Sequence, residues 1–313
     1  MVTYNSLISR ADADALIPEP VANEIIDSLP KASAALSTFR RVRMSSKTDK
    51  LPVISVLPQA YWVSGDDGLK QTSEVNWTNK TLTAEELAVI IPVPQAVLDD
   101  ASFDIWGEVR PKLVEAFGAK LDAATLFGVD APTSFGDGAG HGISQLAVSA
   151  GNFVTEGTGT DFADDIALTL SKVEDDGYDV NVAYARRKVR GRLRRLRDQN
   201  DAPIYQTFAQ GSPDSIYGND LLYVANGSWV NNYEMIVGDR SAAILGVRQD
   251  ITFTIHTEGV ISDGSGNVLL NLMQQDSAAM RAVMRVGFVV ATPATAENGT
   301  TGFPFAVLIN SGS

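Results

Sequence analysis

Apolar residues recur along this chain with two periods, and each switch between them marks an element. Val21, Ile25 and Leu29 stand at helical spacing after Pro20, with Pro30 as a stop, so a short helix is expected over 20–28. A segment of that length needs another surface to lean on. Residues 39–44 and 51–57 are rich in β-branched and apolar positions and predict strands. Gly65-Asp66-Asp67-Gly68 is a turn signal; beyond it Val75 and Trp77 alternate with polar residues, and Leu87, Val89, Ile91 and Val93 alternate again. The pattern predicts a long two-stranded excursion with its tip near Asp66, longer than a hairpin needs to close a local core.

Helical spacing returns at Ile105 and runs through Trp106, Val109, Leu113, Phe117, Leu121, Ala124 and Phe127. Asp104 is placed to cap its start and Gly128 to end it, which gives a rod of about 35 Å at 1.5 Å per residue. Pro111 predicts a kink or a break near its beginning. Residues 129–160 are rich in Gly, Ser and Thr and read as a domain boundary. A helix over 163–176, a strand over 180–184 and a basic helix over 186–198 follow, then strands over 221–225, 234–237 and 251–256. A helix is expected around 270–279. It leads into Met280, Ala282, Met284, Val286, Phe288 and Val290, an unbroken period of two, and residues 305–309 form a last strand. No repeat of fixed period is present.

Composition removes many catalytic classes. The 313 residues are 44% hydrophobic and 20% charged, an ordinary globular balance for one large or two moderate domains. With no Cys, disulfide frameworks, thiolate metal centres and thiol nucleophiles are excluded, and the two His, His141 and His256, lie far apart. The Gly-rich run 135–142 lacks the Lys and the spacing of a phosphate loop and reads as a connector. Ser144 is a near miss for a hydrolase elbow, because Leu146 stands where the turn requires Gly. Asp263-Gly-Ser-Gly-Asn267 opens like a calcium loop, but Val268 and Gln274 occupy its key later positions, so a turn between strands is expected. Four Asp-Asp pairs, at 66/67, 99/100, 164/165 and 175/176, read as caps, since adjacent side chains diverge. No metal ion or cofactor is called for.

Charge adds one anomaly. There are 25 basic and 38 acidic residues, a net charge of −13, which argues against a nucleic-acid coat held by bulk charge. Eight of the basic residues nevertheless fall within 186–197, without an acid among them. On a helix Val189, Leu193 and Leu196 form the buried stripe and the cations fan out over the rest. A solvated face usually mixes its signs, so this one is expected to meet acidic surface of a like subunit or nucleic acid, the former being the stronger expectation. No apolar run approaches the roughly 18–20 residues that span a bilayer, and the N-terminus lacks a signal-peptide pattern. No membrane partner is expected, and synthesis in a cytoplasm is.

Taken together, these elements resemble the major capsid proteins of tailed bacteriophages, with their Hong Kong 97 type fold. The resemblance covers nearly the whole chain and rests on Pro-Glu-Pro-Val-Ala-Asn-Glu-Ile-Ile at 18–26, the excursion, the long helix, Met235-Ile-Val-Gly-Asp-Arg-Ser241, and the run from Asp276 to Phe288 with Pro293 after it. Leu272 and Met273 depart from it, standing near where an aromatic is often found. The resemblance implies an α+β chain with an N-terminal arm (1–38), an extended loop with peripheral-domain strands (39–93), a peripheral domain with a spine helix (94–150), an axial domain (151–279) and return strands (280–313). It further implies a non-enzymatic virion subunit, assembled in a host bacterial cytoplasm. Hexamers and pentamers of it would form an icosahedral head around double-stranded DNA that is not bound sequence-specifically. Separate scaffold, portal and decoration proteins are the other partners it allows. Met1 leads almost directly into the arm, so no covalent scaffold is expected. Some relatives join a loop Lys to a neighbour's Asn; here that would draw on Lys70 or Lys80 with Asn298 or Asn310, and the chain is expected to do without it. Tyr61, Trp62 and Trp77 in the excursion and Arg190, Arg194 and Arg197 in the basic helix are the expected subunit contacts. The same fold serves encapsulin compartments. A reading from another class, an acidic cytoplasmic hydrolase, would be marked by a perturbed carboxylate pair in a deep cleft.

Overall fold

A computed structural model describes residues 33–63, 70, 72–100, 104–136, 140–197, 215–299 and 302–312. The arm helix expected over 20–28 and the excursion's tip near Asp66 lie outside them. The described chain opens on α1 (Ala34–Thr38), capped by the Ser33 side chain, and β1 (Arg40–Arg43). β2 (Thr48–Val56) and β3 (Asn76–Thr83) pair antiparallel, Ile54 opposite Trp77 and Leu51 opposite Lys80, which forms the expected ribbon. β4 (Glu85–Pro94), whose alternation had read as more of the same pattern, instead turns into a different sheet. α2 (Gln95–Asp100) precedes α3 (Ile105–Phe127), whose ends are those anticipated, with Gly128 in the left-handed conformation at φ 68. α3 continues through Pro111, which lies in its second turn, where little of the helix precedes the lost hydrogen bond.

After α4 (Gly142–Ser149), β5 (Phe153–Thr155) and α5 (Phe162–Asp175), β6 (Val182–Arg186) leads into α6 (Arg187–Leu193). α6 is shorter than its basic run. Past Leu193 the chain tightens, with Arg195 and Leu196 donating to carbonyls three residues back. β7 (Ser215–Ile216), β8 (Asn219–Val224) and β9 (Tyr233–Gly238) follow, then the long β10 (Ala243–His256). β11 (Val260–Ser262) and β12 (Val268–Asn271) form a hairpin around the Asp263 turn. The helix expected over 270–279 is not formed. Gln275 donates to the Asn271 carbonyl and Ser277 to that of Leu272, both at 3.0 Å, which makes one turn; Asp276 then sits at φ 44 and Ser277 enters β13 (Ser277–Val290). Pairing along β4 and β10 outweighs a helix that short. The last strand, β14 (Phe305–Ile309), joins the β9 sheet rather than returning to the β13 sheet.

Two main sheets result, with orders β1-β10-β13-β4 and β5-β14-β9-β6-β8-β7. The even-numbered residues of β13 are buried toward α3, and the Phe288 ring meets Phe39 at 5.7 Å and Phe135 at 5.9 Å. This core continues onto one face of the six-stranded sheet through Tyr184, Ile236 and Phe305. The other face, with Ala183, Met235 and Leu308, is covered by α5 and α6. The ribbon has its own small root, in which buried Leu82 and Met44 lie over Gly246 and Gly287. A side chain at Gly287 would stand 2.6 Å from the Thr83 carbonyl oxygen. Gly287→Val is therefore expected to lift the root and destabilise the subunit by about 1–3 kcal/mol. A urea midpoint equal to wild type would show that the root is not seated there.

Candidate assembly surfaces

The ribbon's two faces differ. Leu51, Val53 and Ser55 are half-buried toward the chain's own body, and the Ile54 carbonyl accepts from the Ala294 amide at 3.0 Å. The opposite face presents Ile54, Val56 and Trp77, with Leu57, Tyr61, Trp62 and Val63 further along. Trp62 is fully exposed and Trp77 is 64% exposed. Pairing puts Ile54 and Trp77 side by side, while Tyr61 and Trp62 lie beyond the paired region. The aromatic residues thus stay out of the subunit's own core.

α6 divides its cations. Arg186 approaches Glu234 at 3.4 Å and donates to Asn231 at 2.7 Å. Arg192 pairs with Glu156, reaches Glu234 at 3.9 Å and lies 3.8 Å above the Phe162 ring. The sequence did not disclose these acids, because they join the cluster from distant positions through β5 and β9. Arg190, Arg194 and Arg197 are exposed as expected, but not equally available: Arg190 sits 5.4 Å over the Tyr223 ring, and Arg197 donates to the Arg194 and Leu196 carbonyls.

A buried polar joint escaped sequence reading altogether. Asp122, on α3, is inaccessible to solvent and accepts from Ser33 Oγ at 2.6 Å, the Ala34 and Ala35 amides at 2.9 Å and Asn226 Nδ2 at 2.7 Å. It ties the root of the arm to the spine helix and to the loop after β8. Burial raises its pKa above the ordinary carboxylate value, against the lowering effect of these donors. All four partners are donors, so Asp122 is not half of a carboxylate dyad. The one available signal was an acid directly beside the Leu121 position of the apolar stripe.

The other candidate groups have local duties. Ser144 lies buried within α4, and the Asp263 carboxylate accepts from the Ser265 and Asn267 amides and Asn267 Nδ2, which lowers its pKa. Asp164 accepts from Thr160, and Asp165 from the Gly157 and Gly159 amides. Asn298 donates to Asp176 at 2.6 Å and Asn310 to Glu234 at 3.3 Å. Among the described residues no group of three His, Asp or Glu is placed to hold a metal ion, and no helix is long and apolar enough to cross a membrane.

The described residues combine a two-sheet body, a long helix, an exposed apolar ribbon and a basic helix. Residues 13–299 match the phage capsid family, and the chain belongs to that family. A solved chain from Microbacterium phage Oxtober96 is 40% identical with a TM-score of 0.79, covering 98% of this chain and 100% of that one. One from Mycobacterium phage Bobi is 35% identical with a TM-score of 0.77 over the same shares. The major capsid protein of Staphylococcus phage 80alpha is 29% identical over 276 residues, 87% of this chain and 79% of that protein. The α+β Hong Kong 97 type fold and the role of a tailed-phage major capsid protein, both expected from sequence, hold.

Proposed function

We propose that this chain forms hexamers and pentamers that close an icosahedral head around double-stranded DNA, with the β2–β3 ribbon clamping one subunit to the next. The observation that carries this reading is the fully exposed Trp62 beyond the paired strands, with the largely exposed Trp77 on the ribbon face turned away from the chain's own body. A two-stranded ribbon is marginal in water, and such apolar area is stabilised only by covering it. The shell role requires no catalysis; Asp164, Asp165 and Asp263 are engaged in local turns, and Ser144 is buried inside α4. The relatives described above are phage proteins, which favours a virion head over an encapsulin compartment. In this reading assembly takes place in the host bacterial cytoplasm. A separate scaffold, a portal and decoration proteins are further partners, and the DNA is enclosed without sequence-specific contacts, kept mobile by the net charge of −13 that each subunit carries.

Electron microscopy of the purified full chain tests the reading: uniform closed shells are expected, and a monomer at every concentration would overturn it. Arg190, Arg194 and Arg197 serve here as charged contacts between subunits. Replacing all three with Gln is expected to impair capsomer formation and to make the residual assembly less dependent on salt, because exposed pairs, about 0.2–1 kcal/mol each and acting together in setting orientation, are the contacts that salt screens. Shells of wild-type yield with altered DNA retention would assign these residues to nucleic acid instead.

A further inference from the structure

Two helix ends carry charge of the wrong sign for their own dipoles. α5 finishes on Glu174, Asp175 and Asp176, at the negative end of its dipole, with Lys172 as the basic residue of its last turn. α6 starts with Arg187 and Lys188 directly after Arg186, where its free amides are already positive, and has no acid in its first turn. Some of this charge is used within the chain: Asp176 accepts from Asn152, Asn298 and the Phe303 amide, and Arg186 is held by Glu234 and Asn231. Glu174, Asp175, Arg187 and Lys188 are exposed, and among the described residues none of them has an ion-pair partner; the same is true of Arg194 and Arg195.

The two ends lie at opposite ends of one strand. Gly238 pairs with both Val182 and Phe305, and Asp176 reaches the Phe303 amide there, so the end of α5 belongs to the start of β6. Asp179 is exposed at that end, and Glu297 lies against Gly177. α6 leaves the other end of β6, about 15 Å away at roughly 3.3 Å per residue. The six-stranded unit therefore has a negative pole and a positive pole that its own fold keeps apart. Charges that oppose their own helices are the kind of local inconsistency expected at a working surface.

We infer that the α6 pole of one subunit docks on the α5 C-terminal pole of the next copy, head to tail around the capsomer ring. This rests on the reading of the chain as a self-assembling shell subunit. The contact is heterologous, as ring closure by unlike faces requires, and its opposite potentials fix orientation and exclude face-to-face pairing of like poles.

Charge reversal of the full chain tests the inference. One variant carries Arg187→Glu, Lys188→Glu, Arg194→Glu and Arg195→Glu; the other carries Glu174→Lys, Asp175→Lys and Asp179→Lys. At 187, 188, 174 and 175 each change supplies the sign that the local dipole favours, so both variants are expected to fold, as circular dichroism and thermal unfolding would show. Each alone should raise the concentration needed for assembly about tenfold or more, and both sets in one chain should restore it. The two single-set variants mixed together should assemble only in alternation. Native mass spectrometry would then find hexamers with equal numbers of each and no pentamers, since an odd ring cannot alternate. Wild-type assembly by either variant alone, or no recovery when both sets are combined, would overturn the docking. Normal shells with reduced nucleic-acid content in the α6 variant would overturn it in favour of a nucleic-acid contact. Failure of the wild-type chain to assemble would instead remove the shell reading on which it rests.

Discussion

A chain in which Asn-Gly replaces residues 54–77 is expected to fold, stay soluble and form no closed shells. The register fixes the design: Val53 pairs with Thr78, so a two-residue turn can follow that pair without disturbing the root at Leu51, Leu82 and Met44. What is removed is the exposed face, with Ile54, Val56, Tyr61, Trp62 and Trp77. Covering each Trp on a neighbour would contribute a few kcal/mol at about 25 cal/mol per Å². Repeated around every capsomer, that loss is large enough to stop closure while leaving each subunit's stability nearly unchanged. Thermal unfolding, sedimentation and electron microscopy together separate the outcomes. Shells of normal size and yield would remove the clamp from the mechanism, and an unfolded chain would place the ribbon in the subunit's own core.

Elements dictated by local pattern were legible, and those decided by distant partners were not. The spacing of α3 and its closing glycine marked its extent, because the apolar stripe and Gly128 act within one element; Asp104 stands at the N-cap position, but its side chain makes no capping hydrogen bond. Strict alternation marked β13 for a similar reason: one face is buried along its whole length, apart from the exposed Arg281 on the other side. The helix expected over 270–279 failed because its residues have no helical bias strong enough to compete with strand pairing on both sides of β13. Exposure of Trp62 and Trp77 was foreseen, since two aromatics flanking a turn find no core nearby. The split among the Arg residues was not foreseen. Arg186 and Arg192 turn inward because Glu156 and Glu234 arrive through the sheet, and no spacing rule links positions 36 to 48 residues apart. Asp122 was invisible for the same reason, its donors coming from |i−j| of 87 to 104.

Asp122→Ala is expected to cost the subunit about 3–5 kcal/mol, because it strands four buried or half-buried donors as well as removing a side chain. The loss should be felt first at the root of the arm, where Ser33, Ala34 and Ala35 all depend on this one carboxylate. Asp122→Asn separates the charge from the shape. Since burial raises the folded-state pKa above 3.8, the native state binds the Asp122 proton more readily than the unfolded chain does. The stabilisation this gives is fully present below the unfolded value and is lost as pH rises through the folded one. The Asn variant has no such dependence at this position. Its stability deficit relative to wild type is therefore expected to shrink from acidic to neutral pH, a difference that cancels the contribution of all other carboxylates. Urea midpoints of both proteins across that range measure it. A deficit that grows with pH would mean that the four donors, rather than burial, dominate at Asp122, and the joint would then be a stabilising anion site instead of a desolvated one.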